Sequence, residues 1–256
     1  MRKSEPLRNC SFTLEHYRAT LESWVGNGVL FCRFTRHSDK ERVVILRHDV
    51  DFDLDAVVPL ASLEYELSVT STYFLRLTSD YYNLCSPSAT RVVNYLLEHD
   101  FEIGLHFDAA LYSGRTVEEI ERAMENEARL LSAMVGINIE VVSFHRPGSE
   151  VLGWKPGMLV NAYAPEFLFG TTKYISDSAK HWREGCMCMF RGVAEWDKIR
   201  TLQVLVHPEW WTLNECSVSD RVTNFLRNRV ALLKQGLSSE INSYVSMGSD
   251  QDENCS

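Results

Sequence analysis

Short apolar runs alternate with amphipathic ones along most of this chain, and that alternation restricts the fold more than any other feature. The runs "VVILRHDVD", "TSTYFLRL", "FEIGLHFD", "IEVVSFH" and "IRTLQVLVH" are rich in Val, Ile and Phe and too short for helices. They read as buried parallel strands. Between them lie helical patterns. "SFTLEHYRATLESWVGNG" spaces Leu14, Tyr17, Leu21 and Trp24 at helical intervals, with Gly26 and Gly28 able to end it. "DLDAVVPLASLEYELSV" follows the first strand, with Asp53 or Asp55 as N-cap; Ser86 or Ser88 opens "SPSATRVVNYLLEHD". "TVEEIERAMENEARLLSAMVG" starts at Thr116 and stops before Gly136, and "SVSDRVTNFLRNRVALLKQG" is the last helix. Residues 149–200 are less regular, with two short candidate strands, "FGTTKYIS" and "CMCMFRG".

Strands alternating with helices predict an α/β fold with a parallel sheet. The 256 residues suffice for one large domain, show no linker or repeat, and end in a polar, acidic segment. The expectation is one domain over 1–247 and a disordered tail over 248–256. No glycine-rich phosphate loop follows the first strand, so a closed or partly open barrel fits better than a dinucleotide-binding sheet.

The polar residues fall at the strand ends. His48, Asp49 and Asp51 follow the first strand; His106 and Asp108 follow "FEIGL"; His145 and Arg146 follow "EVVSF". Ser176 and Asp177 follow "TTKYI", and His207 follows "LQVLV". In parallel α/β folds these ends share one face, where barrel enzymes place their chemistry. Any one of these residues alone is an ordinary hydrogen-bonded strand end. Together, histidines, aspartates and an arginine in one small volume need compensating positive charge, which a metal held by His and carboxylate supplies. Asp53 and Asp55 are assigned to the helix start. His16, His37 and His99 fall on helices or turns and read as surface residues, and the glutamates from Glu118 to Glu127 form a solvated helix face.

Composition excludes some classes. With 35 acids against 26 bases the net charge is −9, which argues against nucleic acid or an anionic membrane as main partner. The N-terminal residues lack the apolar core of a signal peptide, and no run is long and apolar enough to span a membrane. The seven cysteines lack paired spacing: "GCMCMF" carries Cys186 and Cys188 with no matching second pair. A zinc ribbon is not expected, reduced thiols are, and the expected compartment is the cytoplasm.

The set "RHDVD", "EIGLHFD", "FHRPG", "YISDSAKHWREG" and "LVHPEWW", in this order over residues 43–211, resembles the polysaccharide deacetylases of carbohydrate esterase family 4. Within that family it looks like a divergent branch linked to bacterial surface-glycan (lipopolysaccharide) biosynthesis. The resemblance implies a distorted (β/α) barrel of about seven parallel strands and hydrolysis of an N-acyl, usually N-acetyl, amide on a sugar. It implies Asp49 as base, Asp51 and His106 as metal ligands, and Arg146 orienting Asp49. Asp177 would support His207 as general acid; Trp182 and Trp210 or Trp211 would line the groove; backbone N–H groups near Pro147–Ser149 would bind the oxyanion. The family's second metal histidine, four residues after the first, is replaced here by Ala110. His145 or Asp108 could stand in, and His145 is preferred because histidine is the usual zinc partner of a His/Asp pair. Val50, inserted between Asp49 and Asp51, leaves those two roles exchangeable.

The implied chemistry is physically coherent. A metal with three protein ligands and an open position polarises a carbonyl and lowers the pKa of its water to about 7. Zn2+ is the first expectation, with Co2+, Ni2+ and Fe2+ also suited to such a site. The expected substrate is a small acylated sugar or glycan precursor. Alternative readings are hydrolysis of another linear amide, such as an N-formyl or non-sugar one, and a catalytically inactive glycan-binding barrel. The sequence leaves the oligomeric state open.

Overall fold

The computed structural model describes residues 10–38, 42–148, 151–152, 154–190 and 199–241. The acidic tail 248–256, Ser149 and the end of "CMCMFRG" lie outside the described residues. The chain divides into two compact units, Met1–Glu215 and Cys216–Ser256.

The first unit is built on a wholly parallel sheet. Its strands are β1 (Leu30–Phe31), β2 (Val43–Asp49), β3 (Ser71–Leu75), β4 (Glu102–Phe107), β5 (Val141–Phe144), β6 (Val160–Asn161), β7 (Thr172–Ser176) and β8 (Thr201–Val206). The order is β6-β5-β4-β3-β2-β8-β7, with β1 added beside the start of β2. This is the distorted (β/α) barrel expected: seven parallel strands form a curled half-barrel whose edge strands β6 and β7 do not pair. The curl is visible in the side chains. Arg47, on the interior strand β2, packs its guanidinium 4.4 Å from the Tyr163 ring beyond β6 and 6.0 Å from the Tyr174 ring on β7. The two aromatic rings, 6.2 Å apart, bridge the gap between the edges.

The helices of this unit are α1 (Leu14–Gly26), α2 (Val57–Glu66), α3 (Pro87–Glu98), α4 (Val117–Val135) and the single turn α5 (Pro165–Leu168). Their ends follow local chemistry. Thr13 and Ser86 cap α1 and α3; Thr116 and Glu119 form a reciprocal capping box on α4; Gly136 closes α4 at φ 76°, the left-handed conformation glycine adopts without strain. Asp53 caps a 3-10 turn over Leu54–Ala56, and α2 begins after it. "CMCMFRG" is not a strand: Met187–Met189 form a 3-10 turn.

Side chains alternate across each strand, so two faces separate by sequence parity. On β2, Val44, Leu46 and His48 turn to the helix layer, where Val44 and Leu46 join Tyr17, Leu21 and Trp24 of α1 in one core. A second core joins α2, α3 and α4 to β3, β4 and β5. Ile45 packs with Phe34, Phe74, Val141 and Phe167 on the inner face and closes the base of the barrel. Gly104 is needed there: a β-carbon at that position would lie 2.5 Å from the Phe74 ring and 2.7 Å from Val141. Above this plug the inner face turns polar, with Arg47, Asp49, His106, Ser143 and Gln203 all buried.

His48 therefore does not reach the rim. Its Nε2 lies 2.7 Å from Glu64 Oε1 of α2, both side chains fully buried. Glu64 also accepts hydrogen bonds from Ser71 at 2.6 Å, Tyr73 at 2.9 Å and the Tyr17 hydroxyl. Burial would raise its carboxyl, but the His48 charge, then hydrogen bonds from His48, Ser71 and Tyr17, outweigh it and hold Glu64 below the usual carboxylate range.

The second unit contains α6 (Val218–Glu240), whose N-cap Ser217 accepts from the backbone of Asp220. Among the described residues no helix is long and apolar enough to cross a membrane.

Candidate metal centre and catalytic rim

Parallel strands deliver their C-terminal ends to one side, and there the polar residues converge. Asp51 lies two residues beyond β2. Its Oδ1 is 3.1 Å from His106 Nε2 of β4 and 2.9 Å from His145 Nδ1, just after β5. Asp51, His106 and His145 offer donor atoms within 4.8 Å of one another, a group able to hold a metal ion. Burial would raise Asp51, but hydrogen bonds from His106 and His145 drive it far below the ordinary range, so it is ionised.

The donor set fits a divalent metal of the zinc type, two imidazoles and a carboxylate. His106 is oriented for it: its Nδ1 pairs with Ser143 Oγ at 2.6 Å, leaving Nε2 toward Asp51. Such an outer hydrogen bond fixes the tautomer of a ligating histidine. His145 presents Nδ1 to Asp51, while its Nε2 accepts from Arg146 Nε at 3.0 Å. Arg146 adopts left-handed backbone at φ 48°. Asp108 is not part of the cluster. It pairs with Arg76 at 2.8 Å and caps the backbone of Ala110.

Asp49, the last residue of β2, lies deeper, 2 % exposed. Its Oδ2 is 2.8 Å from Arg47 and its Oδ1 accepts from Ser143 Oγ at 3.2 Å. Burial would raise Asp49, but the charges of Arg47, His106 and His207 hold it low. The guanidinium on Asp49 is thus that of Arg47, where the family pattern assigns this task to Arg146.

Opposite Asp51 stands His207, after β8, with Nε2 3.9 Å from Asp51 Oδ2. Its Nδ1 meets Asp177 Oδ1 at 2.6 Å, and its backbone N–H also donates to that carboxylate. Burial lowers the imidazole, but the hydrogen bond and charge of Asp177, then Asp51 and Glu209, push it up to about 10. The Trp211 indole donates to Asp177 Oδ2 at 2.9 Å. Trp211 is buried and braces this pair. Trp210 is buried against Phe52, and Trp182 is half-buried and stacked on Phe12.

A cleft of about 770 Å³ beside the rim is lined by Arg146, Tyr163, Phe169, Tyr174, Ser176 and Arg183, among others. A second cleft of about 470 Å³, on the other side of Arg146, is lined by Ala110, Tyr112, Arg115 and Trp154 among others. Reading single strand ends misses Arg47, Ser143 and Glu209. Arg47 and Ser143 share parity with Asp49 and His145 on their strands, a signal that would have placed them inside the barrel. Glu209 is fully buried, and burial, then the charge of Asp51, raises its carboxyl well above the ordinary range.

No family model and no curated protein matches the sequence. Among solved structures, the fold is similar to a family 4 carbohydrate esterase from Bacillus anthracis, at 12% identity over 92% of this chain and 94% of that one, TM-score 0.41. It is similar to a peptidoglycan deacetylase from Bacillus subtilis, at 13% identity over 78% of this chain and all but 1% of that one (99% covered), TM-score 0.41. It is also similar to a CE4 family pseudoenzyme from Bacillus anthracis, at 12% identity and TM-score 0.41 over 75% of this chain; the chain spans 61% of that protein's length. The class that the fold itself defines is the distorted (β/α) barrel with a parallel sheet.

Proposed function

We propose that this chain is a metal-dependent hydrolase that removes an N-acyl group, in the first place N-acetyl, from an amino sugar or glycan precursor. The carrying observation is the facing of two groups across the rim: Asp51 with His106 and His145 on one side, the Asp177–His207 pair on the other. The order of the five motifs supports the same reading. Asp51, His106 and His145 would hold the metal, zinc first. When bound, a divalent ion there supplies Lewis acidity toward an amide carbonyl and toward water.

The chain's own residues account for the protons. Asp49, ionised against Arg47, would take the proton of the attacking water as the new C–O bond forms, the role the resemblance implies for it; its carboxylate stands 3.7 Å from His106 Nδ1, behind the ring that turns Nε2 to Asp51. The C–N bond then breaks, and His207 gives its Nε2 proton to the departing amine. A histidine raised to about 10 is protonated at neutral pH, the state a general acid needs. Asp177 holds the tautomer through Nδ1 and stabilises the cation. Tyr163, Tyr174 and Arg183 supply stacking and polar contacts for the sugar in the larger cleft.

The test is acetate release from a panel of N-acetylated amino sugars, free and carrier-linked, by protein reconstituted with Zn2+, Co2+, Ni2+ or Fe2+. Release that disappears in Asp51→Ala and His106→Ala together with bound metal supports the reading. Ala110 at the family's second histidine position favours one rival, a barrel that binds glycan without cleaving it. Saturable sugar binding with no acyl release from any substrate would establish that rival.

A further inference from the structure

The cysteines that lack a partner motif in sequence acquire one in space. Cys186 and Cys188 flank Met187 in the 3-10 turn after β7, and Cys10 and His16 come from the segment that opens α1. Cys10 Sγ lies 3.4 Å from Cys188 Sγ, and His16 Nε2 lies 3.3 Å from Cys186 Sγ. All four donor atoms fall within 4.8 Å of one another. The edges of a tetrahedron with arms of about 2.3 Å are about 3.8 Å, so these separations suit four ligands around one zinc. His16, read from sequence as a surface residue, belongs to this group. Its ring lies parallel to Trp211, at 5° and 6.3 Å between centroids.

We propose that Cys10, His16, Cys186 and Cys188 form a closed structural zinc site, separate from the rim. The donor chemistry selects the metal: three thiolates and an imidazole make the Cys3His set of structural zinc, whereas the rim offers a carboxylate and two imidazoles. On binding, the three thiol protons pass to solvent and four S–Zn or N–Zn bonds form, with no change of oxidation state. A disulfide would engage two of the sulfurs and leave the third sulfur and the imidazole unused. The surroundings anchor the ligands. Met187, between the two cysteines, is fully buried, and the Trp24 indole of α1 donates to the backbone carbonyl of Phe190 just beyond them. The ion would cross-link the start of α1 to a turn some 170 residues later, where α1 packs on β2 and β8.

The experiment is zinc stoichiometry and zinc K-edge X-ray absorption on the full chain purified under reducing conditions and loaded with Zn2+. Wild type, Cys186→Ser, Cys188→Ser and His106→Ala are compared. The expected result is a sulfur shell at about 2.3 Å in wild type. His106→Ala keeps that shell, and each cysteine variant loses one equivalent of zinc that His106→Ala retains. If a cysteine variant does not fold, the wild-type and His106→Ala spectra still decide. Absence of sulfur scattering in zinc-loaded wild type overturns the proposal. So does a Cys10–Cys188 disulfide found by mass spectrometry of the alkylated, unreduced protein in place of bound zinc. Failure of the rim reading alone would show as a sulfur shell with no second, nitrogen- and oxygen-bound metal.

Discussion

Arg47 and Asp49 stand two residues apart on β2, so they share the inner face of the barrel, and guanidinium meets carboxylate at 2.8 Å with both side chains buried. Arg47 also donates to the Tyr163 hydroxyl at 2.7 Å and to Gln203 at 3.0 Å. One side chain thus ties β2 to β8 and to the turn beyond β6. Removing it leaves a buried carboxylate without its cation. Arg47→Met is expected to cost about 3–5 kcal/mol, read by urea unfolding. Arg47→Lys should recover only part, because an ammonium loses the planar stacking on Tyr163. Equal stability of the lysine variant and wild type would sink this account.

Glu64 makes the fold acid-sensitive from the helix side. Its carboxyl is held below the ordinary range in the folded chain. Its ionisation therefore contributes stability that is fully present above the unfolded value of about 4.3 and is lost as pH falls through the lower folded value. Glu64→Gln should lower stability at neutral pH and flatten its decline below about pH 4.3. Unfolding curves between pH 3 and 7 check this; an unchanged acid slope in the variant contradicts it.

Gly104 has no room for a methyl group between Phe74 and Val141. Gly104→Ala is expected to destabilise by about 1–3 kcal/mol through overpacking. Gly26, at the end of α1, has open space around the same position. Gly26→Ala should leave Tm nearly unchanged, and a comparable drop in both would point away from packing.

On the proposed reading His207 and Asp177 would act on the proton and not on the metal. His207→Ala should lower acyl release by about 10²–10⁴-fold while bound metal stays as in wild type. Trp211→Phe removes one donor to Asp177 and should cause a smaller loss, mainly in kcat. Metal lost together with activity in His207→Ala would mean that the imidazole is a ligand.

Much of this was legible in the chain. Strands β2, β3, β4, β5 and β8 read as short apolar runs and β7 as one of two candidates in a less regular region, and the caps at Ser86 and Thr116 follow from local hydrogen bonding. The convergence of Asp51, His106 and His145 follows from parallel strands ending on one side. What escaped was set by tertiary contact. β1 and β6 are two residues each, too short for any periodicity to register. "CMCMF" has a strand's apolarity, yet it turns, with Cys186 and Cys188 beside Cys10 and His16, a proximity that no local pattern signals. The partner of Asp49 was misassigned because one arginine inside an apolar run looks like noise until strand parity puts it beside the carboxylate.

The strand order also sets a timetable for synthesis. β2 lies inside the sheet, yet one of its two long neighbours is β8, the last strand made among the described residues. At about 5–20 residues per second, the stretch from β2 to β8 takes roughly 8 to 30 seconds to leave the ribosome. Throughout that interval one long edge of a buried strand has no partner. A nascent chain halted before residue 200 thus exposes an apolar strand edge and a half-built rim, the kind of surface that chaperones bind and that seeds aggregation.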